Sequence, residues 1–170
     1  MFTNIYNHSI IPKILEGFIM VMGPNTWSIE DAVHTYQIDR WGEGYFSVSE
    51  NGELCVLPNK DPKSSRINIA KVLDEMKKEG IQFPAVIRFH DILRNQIKTL
   101  NSTFNEIISE AQYSGKYYGV FPIKVNQLRE VIEEVVDIGS EYCYGLEAGS
   151  KAELLTVLAY NENMESLTVL

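Results

Sequence analysis

Lys124 stands at the far end of a β-branched and aromatic run, in Gly119-Val120-Phe121-Pro122-Ile123-Lys124-Val125-Asn126-Gln127. An ammonium is strongly hydrated, and apolar surroundings that strip its water favour the neutral amine. A neutral lysine is a nucleophile, the group that condenses with carbonyl cofactors. Two further candidates lie in Gly145-Leu146-Glu147-Ala148-Gly149-Ser150-Lys151: the acid Glu147 and the hydroxyl Ser150. Each has a plainer reading. A lone lysine at a strand end commonly carries its charge to the surface along its stem. Glu147 also reads as a solvated loop acid. Ser150 with Glu153 makes an S-x-x-E capping box, and Gly149 suits a tight turn. His90-Asp91 reads as a loop residue followed by an N-cap, and Trp27 and Trp41 as packing anchors.

The elements that must position these residues follow from periodicity. Residues 1–26 show no clean period and are broken by Pro12, Gly17, Gly23 and Pro24, which marks an irregular N-terminal extension. Order begins at Trp27. Ser28 and Asp31 form a capping box for a helix reaching about Gln37. Arg40 to Gly44 is a glycine-rich turn. Tyr45 to Val48 and Leu54 to Leu57 flank Asn51-Gly52, a strong hairpin signal. Pro58 to Ser65 is polar and reads as a linker, which closes a second segment over residues 27–65.

From residue 66 to 170 the pattern changes. Ile69, Val72, Leu73 and Met76 repeat at helical spacing, and Gly80 ends that helix. Pro84 to Phe89 reads as a strand. Asp91 caps a long helix with an apolar stripe from Ile92 to Ala111, closed by Gly115. Tyr117 to Ile123 is the next strand, Leu128 to Ile138 a helix closed by Gly139, Tyr142 to Glu147 a strand, Lys151 to Tyr160 a helix, and Leu167 to Leu170 the start of another strand. This alternation implies a parallel sheet with crossover helices. An open doubly wound sheet and a (β/α)8 barrel both fit. Function in such folds collects at the C-terminal ends of strands, where Lys124 and Glu147 fall. A barrel takes about 250 residues, so the chain is expected to be the N-terminal part of something longer.

Composition narrows the partners. The 170 residues include 15 basic and 23 acidic side chains, for a net charge of −8. That argues against nucleic acid or an anionic membrane as partner. Cys55 and Cys143 form no CxxC, and two buried structural thiols in a reducing compartment are expected. The three histidines show no metal-ligand spacing. The apolar stretch Ile14 to Met22 is too short to span a membrane and lacks the flanks of a signal peptide, which places the chain in the cytoplasm. Gly42-x-Gly44 lacks a third glycine and precedes a hairpin, so it is not a dinucleotide or phosphate loop.

The lysine segment resembles that of the biosynthetic arginine decarboxylases, pyridoxal-phosphate enzymes of fold type III. Three other stretches resemble the same family: Tyr36 to Phe46, with Trp41-Gly42-Glu43-Gly44; Arg88-Phe89-His90-Asp91-Ile92-Leu93-Arg94; and Tyr144 to Leu154. The likeness runs from about Trp27 to Leu170. It implies the N-terminal part of a (β/α)8 TIM-type barrel, preceded by a helix and a β-hairpin that join a second, β-rich domain. It implies pyridoxal 5'-phosphate as cofactor, held by Lys124 as a Schiff base with Glu147 nearby in a supporting electrostatic role. The reaction implied is conversion of L-arginine to agmatine and CO2, feeding putrescine and spermidine biosynthesis. Magnesium (Mg2+) and a homo-oligomeric full-length enzyme are implied by resemblance alone. Family members are several times longer, and their phosphate loop, pyridine-pairing acid and substrate-site residues lie further along. The hairpin is expected to lack its sheet, and the isolated chain to be inactive. The alternatives are a non-catalytic truncated product, one part of a split assembly, or another fold-type III decarboxylase.

Overall fold

The computed structural model describes residues 27–170. The N-terminal extension, its apolar stretch and the readings made of them lie outside the described residues.

Helix α1 spans Ile29–Tyr36. Ser28 starts it: its hydroxyl accepts from the Asp31 N–H at 3.1 Å, and the Asp31 carboxylate accepts from the Ser28 N–H at 2.9 Å. Gln37 turns left-handed at φ 50° and ends it. A second short helix, α2, follows at once over Ile38–Trp41, so Arg40 and Trp41 are helical rather than part of the expected turn.

Strands β1 (Phe46–Val48) and β2 (Leu54–Val56) form the hairpin around Asn51-Gly52. Gly52 takes φ +79°, a conformation open to glycine at little cost. The hairpin does not stand alone. Strand β3 (Ile67–Asn68) pairs antiparallel with β2 and completes a three-stranded sheet. Its core is Ile38, Tyr45, Cys55, Val56 and Leu57. Helix α3 (Ile69–Lys78) leaves this sheet directly, capped by the Asn68 side chain, and Gly80 at φ +76° follows its end.

The expected strand over Pro84 to Phe89 does not form: residues 84–89 join neither sheet. Pro84 brings no N–H, and the neighbouring strand offers only three residues to pair with. Val86 is 77% exposed, while Ile87 and Phe89 are half-buried.

Helix α4 runs over His90–Glu110, with Phe89 rather than Asp91 at its N-cap. Asp91 instead sits in the first turn, where a negative charge complements the helix N-terminus. The helix ends five residues before Gly115, because Gln112 takes the left-handed position at φ 50°. The Gln112 N–H donates to Ser109 O and the Tyr113 N–H to Ile108 O, a Schellman closure without glycine.

Strands β4 (Val120–Pro122), β5 (Gly145–Glu147) and β6 (Thr168–Val169) form a parallel sheet in that order. Helix α5 (Arg129–Gly139) joins β4 to β5, and α6 (Lys151–Tyr160) joins β5 to β6. Gly139 is the last residue of α5, not its stop; a 3-10 turn over Ser140–Tyr142 follows, and Cys143 turns left-handed. Ile97, Ile123, Val131, Ile132, Val135, Leu146, Ala148 and Val157 form one buried cluster between sheet and helices. The registered partners Phe121 and Leu146 both contribute to it. Side chains alternate along a strand, so Pro122 and Glu147 lie on the opposite face.

Cys55 is buried as expected, but Cys143 is only half-buried, its Sγ 3.7 Å from the Glu165 carboxylate. Neither tryptophan is a buried anchor: Trp27 and Trp41 are mostly exposed. The Trp41 ring lies 4.9 Å from that of Phe46, tilted by 50°, and donates its Nε1–H to Tyr36 O.

Candidate active site

The end of β4 places Lys124. Pro122 is the last strand residue, and the chain tightens into a 3-10 turn over Ile123–Val125. The Asn126 N–H closes the turn on Ile123 O at 3.1 Å, and the Asn126 carboxamide oxygen accepts from the Leu128 N–H. Ile123 points into the core at 1% exposure; the next two residues turn outward. The Lys124 side chain is 67% exposed. Its apolar sequence neighbours therefore do not bury it, which corrects the expectation of a desolvated amine. The residue also lies just past the strand rather than on it.

Glu147 is the last residue of β5 and sits in register with Pro122. The register brings its Oε1 within 3.8 Å of Lys124 Nζ. An exposed ion pair at that spacing adds little to stability. Its interest is chemical: an exposed amine lies beside a carboxylate at the strand ends and is sterically open to a reacting group. The two residues singled out from sequence are thus brought together on adjacent strand ends.

The next residues build a second link. The Ala148 N–H donates to Val169 O at 2.8 Å, which ties the end of β5 to β6. The Ser150 hydroxyl accepts from the Glu153 N–H at 3.2 Å, so it is the N-cap of α6. The Glu153 carboxylate does not return to the Ser150 N–H, as a capping box would have it. It accepts from the Gly149 N–H at 2.7 Å and from Gln127 Nε2 at 3.4 Å. Sequence reasoning read Glu153 only as a capping partner and passed over Gln127 altogether. Nothing in the spacing of residues 127 and 153 signals that they meet.

An apolar groove of about 510 Å³ borders the turn that carries Lys124. Phe46, Ile87, Phe89, Phe121, Val125 and Val131 contribute to it. His90 and Asp91 do not form a catalytic pair. His90 Nδ1 lies 3.5 Å from Glu134 Oε1, and Arg94 Nη1 binds Glu134 and Asp137 at 2.6 and 2.7 Å. The Glu134 and Asp137 hydrogen bonds hold the Arg94 guanidinium above its already high pKa. This cluster fastens α4 to α5. No group of three or more His, Cys, Asp or Glu among the described residues is placed to hold a metal ion. No helix among the described residues is long and apolar enough to cross a membrane.

Parallel strands joined by crossover helices, with charged residues at their C-terminal ends, define an α/β protein. Its relatives are specific. The chain is 44% identical over 146 residues to the biosynthetic arginine decarboxylase of Prochlorococcus marinus (strain MIT 9301), a match covering 85% of this chain and 22% of that protein. It is 47% identical over 133 residues to the enzyme of the same name from Gloeobacter violaceus, covering 78% and 20%. The crystal structure of the biosynthetic arginine decarboxylase from Campylobacter jejuni superimposes with a TM-score of 0.68 at 34% identity, over 79% of this chain and 22% of that one. No protein-family profile matches. The chain is homologous to one segment of the biosynthetic arginine decarboxylases, and it spans about a fifth of the length of the curated relatives it matches.

Proposed function

We propose that Lys124 is the anchor for pyridoxal 5'-phosphate in a protein that decarboxylates L-arginine to agmatine. The observation that carries this is the Lys124 amine 3.8 Å from the Glu147 carboxylate at the ends of adjacent parallel strands. The relatives' shared name supplies the substrate and the reaction class. When bound, pyridoxal phosphate supplies a carbonyl for a lysine amine and a ring that takes up electrons as CO2 leaves.

The residues present fit that group. Among the described residues Lys124 Nζ has Glu147 as its partner, at 3.8 Å, and its side chain is mostly exposed. Glu147 orients the Lys124 side chain toward the sheet's C-terminal rim. The 3-10 turn keeps the lysine backbone fixed, because Ile123 beside it is locked in the core. The strand order β4-β5-β6, without a reversal, supports reading residues 66–170 as part of a (β/α)8 barrel. On that reading Glu147 faces the barrel interior, and residues 27–65 belong with a second β domain. A homo-oligomer is proposed for the full-length enzyme.

The test is borohydride reduction of the chain with pyridoxal phosphate, followed by peptide mapping. The label is expected at Lys124 and is lost in Lys124→Ala. A label spread over other lysines, unchanged in the variant, would sink the proposal.

A further inference from the structure

Two loops carry the proposed site, and a single side chain joins them. Gln127 lies three residues after Lys124, and Gly149 two residues after Glu147. The Glu153 carboxylate takes one hydrogen bond from each: Gly149 N–H on Oε2 at 2.7 Å and Gln127 Nε2 on Oε1 at 3.4 Å. Glu153 itself is well anchored. It lies in the first turn of α6, its N–H bound to the Ser150 hydroxyl at 3.2 Å. The following Leu154 N–H is bound to Ser150 O at 2.9 Å.

We infer that Glu153 is a positioning residue. It fastens the loop after β4 to the loop after β5 and so sets the separation of Lys124 from Glu147; its catalytic meaning rests on the proposed function. The sheet alone does not fix that separation. Backbone pairing between β4 and β5 ends at Pro122 and Glu147, and Lys124 lies beyond it in a turn. Ile123 holds the turn to the core and Ser150 holds the Gly149 loop to α6, and the Gln127–Glu153 hydrogen bond is the side-chain contact that spans the two. The bond to Gly149 has an ionised acceptor and is short, as charge-assisted bonds are. Helix capping does not require this arrangement, since Ser150 already caps α6.

The test reads the Lys124–Glu147 spacing directly and needs no cofactor. A zero-length carbodiimide reagent joins an amine to a carboxylate only when the two touch, and the joined peptides are mapped by mass spectrometry. In the 170-residue chain a Lys124–Glu147 link is expected. Its yield should fall about fivefold in Glu153→Ala and in Gln127→Ala, because small displacements strongly reduce reaction between oriented groups. Glu153→Gln keeps an acceptor for the Gly149 N–H and should recover most of the yield. Ser28→Ala removes the cap of α1 and touches neither Lys124, Glu147 nor Glu153, so it should lower the melting temperature without lowering the yield. Gln127→Ala changes only an exposed side chain and carries the test if Glu153→Ala impairs folding. A yield unchanged in both alanine variants overturns the inference, and so does an equal loss in Ser28→Ala. Borohydride labelling in parallel separates the two ideas. A crosslink that depends on Glu153, in a chain that never takes pyridoxal label at Lys124, overturns the cofactor reading and leaves the positioning role standing.

Discussion

A β-carbon added at Gly145 would lie 2.0 Å from the Leu167 carbonyl oxygen, far inside contact distance. That carbonyl accepts the Leu146 N–H at 3.0 Å, so the close approach is part of the β5–β6 pairing. Gly145→Ala must push β6 away or break the bond. We expect a loss of about 2–3 kcal/mol, as for other overpacked buried positions, read as a lower urea midpoint. A midpoint equal to that of the parent would show that β6 yields freely. Lys124 gives the opposite lesson at the same scale. Its apolar neighbours read as burial in one dimension, yet a 3-10 turn sends successive side chains in different directions. Ile123 takes the buried place, and Lys124 and Val125 are left outside.

Helix ends were legible wherever a local cap wrote them. Ser28 with Asp31 and Ser150 ahead of Lys151 each act within three or four residues, and both helices start where those residues indicate. Strand ends depend on partners that sequence spacing does not reveal. The strands expected over Tyr117 to Ile123 and Tyr142 to Glu147 shrink to three residues each, and the one expected over Pro84 to Phe89 finds no partner. Strand β3 escaped notice because two residues carry no period. The α1 cap also gives a pH dependence. The Ser28 backbone N–H, then the Ser28 hydroxyl, hold the Asp31 carboxyl below its ordinary 3.8. A depressed carboxyl contributes stability above its unfolded pKa and loses it as pH falls through the folded value. Helix α1 is therefore expected to loosen below about pH 3.8. Amide exchange at Ala32 should rise there in the parent and show no such step in Asp31→Asn. An acid step of equal size in both would assign it to another group.

A side-chain hydrogen bond joins the antiparallel sheet's core to helix α4. Tyr45, at 4% exposure, anchors the antiparallel sheet, and its hydroxyl accepts from Asn95 Nδ2 of α4 at 2.8 Å. Lys60 Nζ lies 4.4 Å from the centre of the same ring. Tyr45→Phe keeps the ring and its cation contact but leaves Asn95 without this partner. We expect a loss of about 1 kcal/mol, the usual net worth of such a bond. Fluorescence from Trp41 should then report unfolding before the parallel sheet loses its circular dichroism signal. Coincident transitions would mean that the link lies elsewhere. At this scale the sequence displayed the lysine and the glutamate, because strand-end residues are readable from alternation alone. The tie between their loops was not readable, since it depends on how far α6 leans toward the turn after β4.

The sequential strand order has a consequence for synthesis. Paired residues of β4 and β5, such as Val120 and Gly145, are about 25 positions apart, and those of β5 and β6 are closer still. Among the described residues these parallel pairings are local in sequence, and local closure of this kind favours rapid formation. Each strand can dock once its own helix has left the ribosome. The Lys124–Glu147 pair thus forms from a short stretch of chain to which β6 contributes neither member.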